Sequence, residues 1–333
     1  MNGYVIKRNI VSLTGFLKWK WKHIPPGLYV LNFHRIGNPD TTPFDPNVFS
    51  GNEGQFAEHI KVITSRFRVI SIRELLNIMD LSMTLSEPVA MITFDDGYVD
   101  NYSKSFPILK SFGATATFFL ATNFIENQQI PWWDEAAWIV RNTRQDAILL
   151  PGLEKPINIK GSDIKLSIRE VLRYFKDNEE RTVDEKMVIL KDVCNQEFNY
   201  NGSNPLFLNW DQVRELKNEG MDVGSHTCSH RILSHLSPED QKREIKSSKS
   251  IIEKKIGSQI HAFAYPVGGL ESFTTSTSSI VKESGYRVAF TFPLGGGYTR
   301  DPTLKLFEIP RLALEAHFNH VEVQYATVFA RRH

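Results

Sequence analysis

The stretch Val89-Ala90-Met91-Ile92-Thr93-Phe94-Asp95-Asp96-Gly97-Tyr98 decides how this chain folds. Val89 to Ile92 is an apolar, β-rich run that fits a buried strand. The strand ends in two adjacent carboxylates. Gly97 lets the backbone turn sharply after them, because glycine tolerates positive φ. A strand of this kind sets acidic groups on the rim of a sheet or barrel. A second signal lies far downstream, in Gly224-Ser225-His226-Thr227-Cys228-Ser229-His230. It too follows a short apolar run. Two histidines four apart supply nitrogen ligands that a carboxylate could complete, leaving a spare aspartate beside the cation. That equipment suits hydrolysis of an amide or ester.

Outward from these motifs the chain alternates strands and helices. Leu28 to Phe33 reads as a first strand running into His34-Arg35. Ser71 and Glu74 form a capping box for a helix from Ile72. A helix near Ser103 to Phe112 stops at Gly113, and Thr115 to Leu120 reads as the next strand. Asn209 caps a helix to Lys217, and Met221 to Gly224 is a short strand. Ser237-Pro238 opens a long helix that closes at Gly257. His261 to Tyr265, Tyr286 to Phe292 and Phe307 to Leu314 complete the strands. This alternation implies a largely parallel sheet. His34, Asp95, Asp96, His226, His230 and the Tyr265-Pro266 turn all follow the carboxyl ends of predicted strands, which is the active-site face of an α/β barrel. Residues from about 141 to 206 differ: charged, helical in period, with a capping box at Ser167 and Glu170. They read as a helical insertion.

Composition narrows the field. The 333 residues can bury a large core, and a hydrophobic share of 41% with 23% charged residues fits an ordinary globular protein. A net charge of +1 gives no reason to expect nucleic acid as a partner. Cys194 and Cys228 make neither a disulfide framework nor a cysteine zinc cage. No stretch has the length and purity of a transmembrane helix, and the N-terminus lacks the marks of a signal peptide. The expected location is therefore cytoplasmic. Residues 1–27 form a basic amphipathic segment with a stripe at Ile6, Ile10, Leu13, Leu17 and Trp21 and no acidic residue before Asp40. Either this helix packs on the main domain, or residues 5–22 touch an anionic membrane surface.

Each motif alone has a plainer explanation. Asp-Asp-Gly can be a turn whose aspartates bond backbone amides. His-x-x-x-His can be two half-exposed histidines, and it lacks the Glu of a zincin helix. Their shared rim favours a metal site. Together, Thr93 to Gly97, Ser225 to His230 and Phe263-Ala264-Tyr265-Pro266-Val267-Gly268-Gly269 resemble the polysaccharide deacetylase family, carbohydrate esterase family 4. This group includes chitin and poly-N-acetylglucosamine deacetylases. The resemblance covers roughly residues 28 to 315.

The resemblance implies an α/β fold, a distorted (β/α)7-type barrel carrying the helical insertion. A catalytic domain would span 28–318, with a tail at 319–333. It implies a divalent metal, most often Zn2+, held by Asp96, His226 and His230, with Asp95 as general base. The Val267 amide is by the same resemblance a candidate oxyanion donor, beside Tyr265. The expected substrate is an acetylated glycan or glycolipid.

Several features depart from the family pattern. The third motif lacks its usual arginine, and Arg311 in Ile309-Pro310-Arg311-Leu312 is the candidate to replace it; the alternative is a surface arginine. The leaving amine needs a proton, for which His34 and His317 are candidates. Trp132 and Asp134 in Trp132-Trp133-Asp134 could form a sugar-stacking wall, or simply pack near the insertion. The rival readings are a glycan-binding relative without activity and an amidase of the same fold acting on a non-sugar acyl or imide substrate.

Overall fold

The computed structural model of the protein describes residues 15–81, 83–177, 181–202, 204–294 and 296–333. Seven strands close the central barrel: β1 Gly27–Phe33, β2 Pro88–Phe94, β3 Thr117–Leu120, β4 Asp222–Ser225, β5 Ala262–Ala264, β6 Val288–Thr291 and β7 Ile309–Ala313; the short strand Arg68–Val69 adds to the same sheet beside β2. Each pairs in parallel with the next in sequence. The ring closes where Val30 of β1 registers with Arg311 of β7. This is the expected (β/α)7 barrel.

Side chains along a strand alternate between two faces. One face of these strands supplies a single buried cluster: Leu28 and Val30 on β1, Val89 and Met91 on β2, Phe119 on β3, Ala262 and Ala264 on β5, Val288 and Phe290 on β6. The other face packs on helices. Phe33, Phe94 and Phe118 stack in a row, with ring centroids 5.4 and 5.0 Å apart. Phe56 of the helix Glu53–Thr64 meets Phe33 edge-on at 5.1 Å. Burial on both faces explains why β1 and β2 are buried at every position and read as continuous apolar runs.

The interior parity decides where the chemistry falls. Two residues beyond Val30, Met91 and Ile309 come Asn32, Thr93 and Arg311, and Asp95 lies one step further. On β4 the same parity passes from Gly224 to His226. A Cβ on Gly224 would lie 2.4 Å from a ring carbon of Phe119, so only glycine fits at that level. The lower barrel is thus apolar and its carboxyl rim polar.

The segment expected as an N-terminal amphipathic helix is helical over Phe16–Lys22. Leu17 is buried there, and Trp21 meets Phe67 edge-on at 5.7 Å. Ile6, Ile10 and Leu13 lie outside the described residues. The expected tail at 319–333 is instead ordered into a helix, His320–Val328. Asn319 accepts from the N–H groups of Val321 and Glu322, and Glu322 reaches back to the Asn319 N–H at 2.6 Å. This capping box is legible as Asn-x-x-Glu but opens a helix of only nine residues.

The chain divides into two compact units. The barrel unit holds Ser50–Asn127, Phe207–His333 and the described residues up to Gly37; the second unit holds Asn38–Phe49 and Gln128–Leu206. The helical region therefore begins before residue 141 and recruits a distant segment. Arg141 donates to Phe44 O at 3.0 Å, and Asp134 accepts from the Asp45 N–H at 3.0 Å. Such tethers leave no trace in local composition. Three helices, Trp132–Asn142, Ile164–Asp177 and Val183–Cys194, lie in this unit. Ser167 is not a cap. It sits within the second helix and donates to Asn158 O at 2.6 Å. No helix among the described residues is long and apolar enough to cross a membrane.

Candidate active site

The two aspartates after β2 part company through one backbone torsion. Asp95 continues the interior parity, its N–H bonded to Phe33 O at 3.1 Å. Asp96 adopts φ 72°, so its side chain departs from the strand alternation. Asp96, His226 and His230 then form a group whose ligand atoms all lie within 4.8 Å of one another. Nε2 of His226 and Nε2 of His230 stand 3.7 and 3.5 Å from Asp96 Oδ1.

Those separations are long for hydrogen bonds. They match ligands of one ion: bonds of about 2.1 Å in a tetrahedral array place donor atoms about 3.4 Å apart. The His226 tautomer agrees. Its Nδ1 lies 2.7 Å from Ala264 O, and a carbonyl only accepts, so Nδ1 carries the proton and Nε2 presents a lone pair toward Asp96. Burial pushes the His226 pKa down; Asp95 and the Ala264 carbonyl oppose this while Arg311 adds to it, and the net effect favours the neutral ring. A neutral imidazole lone pair facing a carboxylate fits a shared cation. The expected ligand set is therefore the set the fold brings together.

Asp95 is buried and differently surrounded. Burial alone would raise its pKa, but the Arg311 guanidinium, with His226 and His34, outweighs that and holds the carboxyl well below the usual carboxylate range. Arg311 Nη1 donates to Asp95 Oδ1 at 2.7 Å and to Asn32 Oδ1 at 2.9 Å. The arginine is itself 1% exposed, and its guanidinium carbon lies 5.2 and 5.7 Å from the Phe292 and Phe119 ring centroids. It enters from β7 as expected and is no surface residue. Asn32 completes the network. Its Nδ2 donates to Asp95 Oδ2 at 3.2 Å while its Oδ1 accepts from Thr93 Oγ1 at 2.6 Å. Asn32 escaped the sequence analysis. Its signal was a polar residue on the interior parity of an otherwise apolar strand.

His34 Nε2 lies 3.8 Å from Asp95 Oδ2, and the side chain is 36% exposed. Ser50 Oγ accepts its N–H at 3.0 Å, and Asn101 Nδ2 donates to its carbonyl at 2.7 Å. His317 is exposed instead. Its partners among the described residues are Glu315 at 3.4 Å and Phe318, edge-on at 4.9 Å.

Val267 has φ 64°, an outlier for a β-branched residue. Gly268 N–H bonds Pro266 O at 2.7 Å across it, and no described residue accepts the Val267 N–H. Tyr265, expected beside the oxyanion donor, is instead fully buried. Its ring stacks on Phe273 at 4.1 Å, its hydroxyl pairs with Ser278 Oγ at 3.0 Å, and burial pushes its pKa up. Asp134 is corrected too. It is fully buried inside the second unit and accepts the Asp45 N–H. Trp132 stacks on Phe175 with centroids 5.3 Å apart.

Six non-glycine residues among those described have positive φ, and Asp96, Thr227, His230 and Val267 are four of them. Such backbone costs about 1–3 kcal/mol per residue and concentrates at functional sites. Here all four fall in the loops after β2, β4 and β5.

A closed parallel barrel with an Asp–His–His cluster that could hold a cation, and a separately held carboxylate, all on its carboxyl rim, has the layout of a hydrolase site. The polysaccharide deacetylase family profile matches residues 82–154 and 169–289, more than half of the chain, and the chain belongs to that family. It is a hydrolase of carbon–nitrogen bonds other than peptide bonds. The Bacillus subtilis (strain 168) protein YxkH, assigned as a polysaccharide deacetylase, is 21% identical over 276 residues, covering 82% of this chain and 67% of that protein. Among solved structures, the Streptococcus pyogenes deacetylase PplD, in complex with acetate, has a TM-score of 0.60 at 18% identity, covering 91% of this chain and 99% of PplD. IcaB from Ammonifex degensii has a TM-score of 0.56 at 16% identity, covering 91% and 98%.

Proposed function

We propose that this protein removes acetyl groups from N-acetylated sugars of a polysaccharide or glycolipid, using a divalent ion, Zn2+, held by Asp96, His226 and His230. The observation that carries this reading is the contrast between the two aspartates. One shares a donor set with two imidazoles; the other, 2% exposed, is locked onto Arg311. When bound, the ion would lower the pKa of a water molecule and polarise the acyl carbonyl.

The chain's own residues supply the rest. Asp95, kept ionised by Arg311 and oriented by Asn32, takes the proton of the attacking water. The Val267 N–H is aimed by its left-handed backbone to donate to the oxyanion of the tetrahedral intermediate. His34, 3.8 Å from Asp95, gives the leaving amine its proton as the carbon–nitrogen bond breaks. The products are acetate and a free amino sugar.

The test is metal analysis alongside acetate release from N-acetylglucosamine oligomers. His226→Ala is expected to lose both metal and turnover. His34→Ala is expected to keep the metal and lose about 10²–10⁴-fold in kcat, the usual contribution of a positioned proton donor. Metal retained in His226→Ala would refute the triad. Turnover of small amides or imides, with none of the oligomers, would favour the amidase reading; bound glycan without acetate would favour a binding protein.

We further infer peripheral contact with an anionic membrane through the N-terminal helix. Phe16 and Trp19 are 43% and 54% exposed, beside Lys18, Lys20 and Lys22. None of these lysines pairs with a carboxylate among the described residues, and aromatic rings next to lysines suit a lipid–water interface. The full-length protein is expected to co-sediment with phosphatidylserine vesicles and not with phosphatidylcholine vesicles, and Trp19→Glu is expected to abolish this. Equal recovery with both vesicle types would contradict the contact.

A further inference from the structure

The loop that carries both imidazoles is unfavourable as a chain conformation. Thr227 has φ 67° and His230 has φ 55°, and neither is a glycine. Such backbone persists only where its surroundings over-determine it. One side of the loop rests on the start of the helix Thr122–Asn127. Thr227 O accepts the Thr122 N–H at 3.1 Å, and Cys228 O accepts the Asn123 N–H at 2.9 Å. The other side rests on Glu244, alongside the loop's own bond from the His230 N–H to Thr227 Oγ1 at 3.0 Å. Glu244, on the helix Pro238–Ile256, accepts the N–H groups of Cys228 and Ser229 on Oε2, both at 2.9 Å, and the Ser229 hydroxyl on Oε1 at 2.6 Å.

We propose that Glu244 is the positioning residue of the cation site: it holds the turn between His226 and His230 in the shape that brings both Nε2 atoms to Asp96. The inference rests on the metal reading above and adds a residue to it. Glu244 engages neither imidazole. It acts through the two residues that lie between them. Charge-assisted bonds to backbone N–H are about twice as strong as neutral ones. Two of these and a third bond from the Ser229 hydroxyl, all on one side chain, are enough to pin a turn whose torsions would otherwise relax toward negative φ. Relaxation would swing His230 away from Asp96, while His226 stays bonded to Ala264 and Ser225 Oγ stays paired with Ser248 Oγ at 2.7 Å. The consequence is specific: His226 and Asp96 keep their places and one ligand of three is lost.

The test is zinc affinity of the full-length protein, measured by competition with a chromogenic chelator and compared with unfolding of the zinc-free protein. Glu244→Ala is expected to weaken zinc binding by about 10–100-fold, the range for residues that orient ligands. Glu244→Gln, which retains an acceptor oxygen, is expected to recover part of this. The exposed Glu239→Ala on the same helix is expected to match the wild type. A merely structural role would lower the unfolding temperature and leave zinc affinity unchanged. If Glu244→Ala does not fold, Glu244→Gln carries the test alone. Zinc affinity within twofold of the wild type in the folded variants would overturn the role of Glu244 and leave the triad standing. A wild-type protein that binds no zinc, or a His226→Ala variant that binds it equally well, would overturn the metal reading itself.

Discussion

Replacing Asp95 with Asn is expected to reduce acetate release by about 10²–10⁴-fold, the range for loss of a general base, while metal content stays at the wild-type level. An amide cannot take the proton of the attacking water, and Asp95 is no member of the Asp96–His226–His230 set. The substitution is nearly isosteric but not silent for stability. Asn32 Oδ1 accepts from both Thr93 and Arg311, so its Nδ2 must face position 95. The new amide can satisfy either that donor or Arg311, not both. An unsatisfied buried donor costs about 1–3 kcal/mol, and Arg311 also loses its counter-charge. A lowered unfolding temperature with intact metal and absent turnover is therefore the expected combination. Acetate release within tenfold of the wild type would show that Asp95 is not the base.

Arg311→Met should be nearly as damaging and should leave a pH signature. It strands a buried carboxylate, and breaking a buried pair by removing one partner costs about 3–5 kcal/mol. In the native fold the pKa of Asp95 is held down, chiefly by Arg311 acting against burial. A depressed carboxylate contributes stability above its unfolded pKa of about 3.9, and that contribution is lost as pH falls through the depressed folded value. Without Arg311, burial dominates and the folded pKa moves upward. The acid limb of kcat/KM should move to higher pH, and the variant should be destabilised most where wild-type Asp95 is ionised. A pH profile superimposable on the wild type would contradict the pairing.

The sequence revealed the parts of this protein that repeat a local rule. Apolar runs ending in Asp95 and His226 were readable because barrel strands are buried on both faces and end at a polar rim. The Ser237-Pro238 and Asn209 caps were readable because capping chemistry is local: Asn209 accepts the Gln212 N–H, and Ser237 accepts the Asp240 N–H. Arg311 was nominated by motif resemblance, but its pairing with Asp95 spans 216 positions. What stayed hidden depends on partners supplied by the fold. Asn32 is one asparagine in an apolar run until β7 closes beside it. Glu244 looks like one more charged residue on a solvated helix until the His226–His230 loop folds back onto it. Tyr265 and Asp134 misled for the converse reason: a polar atom next to a motif can spend its hydrogen bond inward, on Ser278 or Asp45. The recruitment of Asn38–Phe49 into the second unit is likewise a tertiary event, made by contacts such as Arg141 to Phe44.

The central claim is that Asp96, His226 and His230 grip one cation while Asp95 stands apart from it. Anomalous diffraction at the zinc edge, from crystals grown with zinc, tests this most directly. The account predicts one strong peak about 2.0–2.2 Å from an Asp96 oxygen and from Nε2 of both histidines, with Asp95 still bonded to Arg311. A peak coordinated by Asp95 in place of Asp96, or no peak between the two imidazoles, would contradict it.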